Sequence, residues 1–102
     1  MPESRIPRRL RSLPRWTFAG VEYPVATTLI ARVLGLALLS RERAGPGLLI
    51  PRCRSVHTFG MRFALDVVFL DATGVPISYR PQVPPRRVLR QPGAAAVLEM
   101  PS

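Results

Sequence analysis

Residues 53–71, CRSVHTFGMRFALDVVFLD, constrain the fold more than any other part of this chain. Val56, Thr58, Phe59 and Phe63 favour strand over helix, and the segment from Leu65 to Leu70 is rich in Val and Phe. The same stretch holds the only cysteine, Cys53, the only histidine, His57, and Asp66 between Leu65 and Val67. A polar trio set among apolar, β-prone residues is either a site or a set of satisfied core groups.

Neighbouring segments extend the β reading. Residues 48–51 are a short apolar run, and residues 55–63 and 65–71 are the next strand candidates. Ala72-Thr73-Gly74 marks a turn, after which residues 75–79 return as a hairpin partner. Asp71 stands just before that turn, where a carboxylate caps the backbone. Residues 16–25 alternate around Gly20 as a strand or hairpin, and Pro24 confines them to an edge or an end. Residues 94–100 are expected as a final strand, with helix the alternative on alanine content.

One helix is expected, over residues 27–40. Leu29, Ile30, Val33, Leu34, Ala37 and Leu38 follow the i, i+3, i+4 spacing of an inward stripe, and Thr27 or Thr28 offers an N-cap. Arg41 and Arg43 suit its C-terminal end, and Gly45-Pro46-Gly47 stops it. Gly35 inside it costs about 1 kcal/mol relative to Ala, a cost that a close helix–sheet contact would explain. Residues 80–92 contain Pro81, Pro84, Pro85 and Pro92 and are expected as an extended loop, partly polyproline II. Residues 1–15 read as a basic N-terminal arm, with a short helix striped by Ile6, Leu10 and Leu13 as the alternative. Residues 16–102 then make one domain, mainly β with one early helix.

The formal charge is +9, and all fifteen basic residues are arginine. Two readings stand: a surface for an acidic partner, nucleic acid or acidic protein, or the drift of a GC-rich coding sequence. A single cysteine excludes an internal disulfide. No apolar segment follows the basic start as a signal peptide would require, and the most apolar run, residues 33–39, is far below the ~20 residues that span a bilayer. A cytoplasmic location is expected.

The run CRSVHTFGMRFALDVVFLD, preceded by Ala26-Thr27-Thr28 and an Arg-containing helix and followed by AVLEMP, resembles the uncharacterised family called domain of unknown function 192. The resemblance covers about residues 25–101. It implies a compact, mainly β, sandwich-like or barrel-like fold with a helix near the start, and it brings no activity, cofactor or substrate. Ala64 departs from the family pattern, which has Pro before the Leu65-Asp66 pair and so fixes φ there. The family pattern also continues past the VLE-x-P segment, so a last strand is expected to be missing or replaced by the N-terminal extension.

Candidate chemistry centres on His57 and Asp66. Paired, they are a base with its orienter or a structural brace between strands, with Arg62 and Thr58 as other partners for the carboxylate. Cys53 and His57 would lie ~13 Å apart on a strand, too far for a nucleophile and its base. One Cys, one His and no CxxC or HxxxH spacing give no metal site, and no Walker loop or GxGxxG gives no nucleotide or other cofactor.

The main expectation is a non-enzymatic binding module. Its ligand residues would be His57, Phe59, Met61, Arg62 and Asp66, and Arg80, Arg86, Arg87 and Arg90 would bind an anion. The alternatives are a small hydrolase or transferase using His57 with Asp66, and a truncated, poorly functional family copy.

Overall fold

The computed structural model describes residues 6–102. Its centre is an open four-stranded antiparallel sheet in the order β3-β8-β5-β6, made of β3 (Leu48–Pro51), β5 (Leu65–Leu70), β6 (Pro76–Val83) and β8 (Ala96–Pro101). Two small antiparallel pairs flank it: β1 (Arg15–Phe18) with β2 (Val21–Pro24), and β4 (Ser55–His57) with β7 (Val88–Arg90). Three short helices complete the described residues: α1 (Arg8–Arg11), α2 (Leu29–Leu34) and α3 (Arg41–Ala44). The architecture is mainly β, as expected, and the sheet does not close into a barrel.

Both faces of the sheet are covered, so β5 reads as a nearly unbroken apolar run. Leu65, Val67 and Phe69 join Leu48, Ile50 and Val97 in the larger core, with Leu10, Ala31, Leu36 and Val56 from the covering elements. Val68 and Leu70 face the other way with Leu49 and Leu98, beneath Tyr23, Trp16 and Phe18 of the β1–β2 hairpin. That hairpin turns on Ala19 and Gly20, both at positive φ, the pattern whose twist matches paired strands. Gly47, at φ +142, leads into β3 where a Cβ would fall 2.2 Å from the carbonyl oxygen of Glu99. Only glycine lets the chain come that close to β8.

Residues 1–15 are expected as a basic arm. Met1 to Arg5 lie outside the described residues. From Ile6 onward the chain packs: Leu10 and Leu13 are buried, and Arg9 donates to the carbonyls of Gly35 (3.1 Å) and Ala37 (2.7 Å).

Two expected elements are corrected. The helix predicted over residues 27–40 ends at Leu34, capped at its start by Thr28, whose hydroxyl accepts from the Ala31 amide at 3.1 Å. Gly35 is its C-terminal cap at φ +53, not an interior residue. Because the chain turns there, Leu36, Ala37 and Leu39 enter the core, and most of the predicted inward stripe stays outside. Leu29 is 79% exposed, Ile30 54%, Val33 59% and Leu38 64%. Residues 41–44 form the separate turn α3, capped by the Ser40 hydroxyl.

The loop expected over residues 80–92 is largely strand. β6 runs on to Val83, and β7 pairs with β4. β6 is an edge strand with a register shift opposite Asp66, where a proline such as Pro81 is tolerated.

Candidate functional site

A cleft of about 210 Å³ opens between α2 with the turn that follows it, β4 with its following turn, and the end of β8. Leu29, Val33 and Leu34 line it on the helix side, Val56, His57, Phe59 and Met61 on the β4 side, and Glu99 from the sheet. Leu29 and Val33, exposed on α2, thus form one lip, and Phe59, 51% exposed, forms part of the other. Three hydrogen bonds fix the geometry across it: Leu38 N–H donates to Gly60 at 2.8 Å, and Arg32 donates to Pro51 at 2.6 Å and Arg52 at 3.3 Å.

Glu99 is the residue that sequence reasoning missed. It lies on β8 opposite Leu48 on one side and Val67 on the other, on the same face as Val97 in the larger core. It is 4% exposed and contributes to the cleft lining. Its Oε1 lies 3.3 Å from where a Gly35 Cβ would be, so the helix-ending glycine also clears the space beside the carboxyl. No described residue donates a hydrogen bond to this carboxyl, and burial pushes its pKa up to about 7. The signal was a single acid inside AVLEMP, where strand alternation groups it with Val97 rather than with the solvent.

The predicted ligand residues divide. His57, Phe59 and Met61 line the cleft, whereas Arg62 is exposed and Asp66 lies on β5; neither is among the lining residues. Val56 and Thr58 are buried, while His57 is exposed beside Phe59, with ring centroids 5.9 Å apart. His57 and Asp66 form no hydrogen-bonded pair. Asp66 accepts from the Gln82 amide at 2.9 Å, at the register shift between β5 and β6, and its charge and hydrogen bond help raise the Tyr79 pKa after burial has done so.

The brace sought there is at Thr58. Its hydroxyl donates to Pro84 at 2.8 Å and accepts from the Arg87 amide at 2.8 Å, with no exposed surface. Cys53 also lines the cleft, and its thiol donates to the Ser55 carbonyl at 3.1 Å rather than to His57. Asp71 is the turn cap expected of it, accepting from Thr73 and Val75. The Thr73 hydroxyl, then the Val75 and Thr73 amides, hold its pKa below the ordinary carboxylate range.

The four arginines proposed for an anion have separate settings. Arg80 is engaged with Ser78 and Gln91 and lies over the Phe69 ring at 5.5 Å. Arg87 donates weakly to carbonyls of its own loop, Arg86 is exposed at positive φ, and Arg90 shares a shallow hollow with Arg54 and Pro92. No group of three or more metal-ligating side chains exists among the described residues, and none of their helices is long and apolar enough to cross a membrane.

The fold and cleft define a small, mainly β domain with a two-faced sheet and an acid-floored cavity beside its longest helix. Residues 14–102 match the family model described as "Uncharacterized ACR", the domain of unknown function 192, and the chain belongs to that family. The crystal structure of a protein of unknown function from Novosphingobium aromaticivorans has a similar fold, with a TM-score of 0.63 at 15% identity over 94% of this chain and 86% of that one. Comparison with curated proteins gives no match.

Proposed function

We propose that this domain is a non-enzymatic binding module whose site is the α2–β4 cleft, and that its ligand presents a short aliphatic body. One observation carries the reading: Leu29, Val33 and Phe59, all more than half exposed, converge on a single concave surface. Large apolar side chains scattered singly over a surface need no explanation, but a set rimming one cavity marks a place that something covers. Drug-sized ligands occupy roughly 300–1,000 Å³, so a cavity of about 210 Å³ suits a smaller group.

An acidic macromolecule is the other binding reading. Arg54, Arg86, Arg87 and Arg90 offer it charge without a shaped groove, and the cleft offers shape, so we place the function in the cleft. The hydrolase reading rests on His57 oriented by Asp66, and Asp66 is engaged by Gln82 instead.

Titration of the 15N-labelled chain with n-butanol tests this. The expected result is saturable shifts of the amides of Val33, Gly35, Val56 and Phe59, weakened by Val33→Asp. Absence of saturable shifts there at tens of millimolar n-butanol would overturn it.

A further inference from the structure

We infer that the cleft recognises a primary ammonium group carried on a short aliphatic stem, with the Glu99 carboxylate as its acceptor. The inference rests on the binding reading above and names the chemistry of the ligand. The polar character of the cleft is asymmetric. Its walls are apolar along Leu29, Val33, Ile50, Val56 and Met61, and its sheet side presents a carboxyl that no described donor satisfies. A carboxylate removed from water needs a partner or it takes up a proton. Glu99 has no partner of its own, and its remaining 4% exposure leaves it reachable.

The shape of the site agrees. Gly35 keeps the space beside Oε1 open, and any side chain there would stand 3.3 Å from that oxygen. An alkylammonium places methylenes along the apolar walls and its charged head on the acceptor, as a lysine stem lies on apolar surface with its head satisfied elsewhere.

The charged and titratable groups facing Glu99 are few. Arg32 comes from α2, His57 from β4 and Cys53 from the segment before it, while β3 and β5 contribute the apolar Leu48, Ile50 and Val67. Arg32 already donates to the Pro51 and Arg52 carbonyls. The net charge of +9 opposes the approach of a cation, but exposed charges are screened within ~8 Å at physiological salt. Selectivity is therefore set by contact inside the cleft.

Binding is linked to ionisation of Glu99. With a carboxyl that titrates at about 7, affinity for the ammonium rises about tenfold between pH 6 and pH 8. His57 lines the same cleft, so a Glu99 variant is needed to assign the pH dependence to the carboxyl.

The test titrates the full chain with n-butylammonium chloride, n-butanol and sodium butyrate, following the cleft amides at pH 6 and pH 8. At pH 8 the ammonium is expected to bind at least tenfold more tightly than the alcohol, and butyrate least of all. Glu99→Gln, close to isosteric, is expected to bring the ammonium affinity down to that of the alcohol and to lose the pH dependence.

Equal affinities for the ammonium and the alcohol, or an ammonium preference that survives in Glu99→Gln, would overturn the inference while leaving the binding module standing. Preference for butyrate would overturn it in favour of Arg32 as an anion site. No saturable shift with any of the three ligands would overturn both readings. A further arm with Nα-acetyl-lysine amide tells a lysine side chain from a free amine: tighter binding than n-butylammonium supports the side chain, and weaker binding supports the free amine.

Discussion

Glu99 makes the folded protein a weaker acid than its unfolded chain, and stability registers the difference. The carboxyl has its ordinary value of 4.5 when exposed and titrates at about 7 in the fold. Between those values the native state holds a proton that the unfolded state has released, so stability falls as pH rises through that window and levels off above it. The loss amounts to roughly 3 kcal/mol, at about 1.4 kcal/mol per pH unit. Urea melts at pH 5 and pH 8 should therefore show a less stable protein at pH 8. Glu99→Gln should reduce that difference and be the more stable of the two at pH 8. A wild-type chain that is equally stable or more stable at pH 8 would show that the carboxyl is solvated or paired.

Among the elements, the loop between β6 and β7 depends on one buried hydroxyl. Thr58 joins the end of β4 to Pro84 and Arg87, and the Thr58 amide and carbonyl bind the same loop through Arg87 and Arg86. Thr58→Val preserves shape but strands an N–H and a carbonyl, with an expected cost of about 1–3 kcal/mol. Thr58→Ser keeps the hydroxyl and should cost less. Denaturant midpoints with an unchanged slope would measure both.

The strands were largely legible from sequence because their signals are local. β3 occupies the residues its apolar run marked, β5 follows the Val and Phe content, and Asp71 caps the turn that its position implied. What was hidden depends on tertiary context. The prolines after Arg80 argued for a loop, yet an edge strand tolerates them. The α2 stripe had the correct period, but its burial depended on where the chain turned, and Gly35 turned it early. Glu99 was hidden for a related reason: alternation groups it with Val97, but the strands on either side of β8 decide how deeply that face is buried.

For the whole molecule, the first described residues are structural. Leu10 is 1% exposed in the larger core, and Leu13 is 6% exposed. Leu10→Ala is expected to destabilise the chain by about 2–5 kcal/mol, the range for a truncated buried leucine. A chain beginning at Pro14 should lose Leu10, Leu13 and Arg9 together and melt well below the full chain. Thermal melts of both variants measure this, and an unchanged midpoint for Leu10→Ala would place that leucine outside the cooperative unit.

The Arg9 contacts to Gly35 and Ala37 lead further. Glu99 and the residues lining the cleft lie within the part of the chain that matches the family, whereas the guanidinium holding the turn beside Gly35 lies before it. The cavity and the contact that holds its edge are thus written in different stretches of the chain. Replacing Arg9 changes what holds the Gly35–Ala37 turn while the acid and the walls that define what enters stay the same.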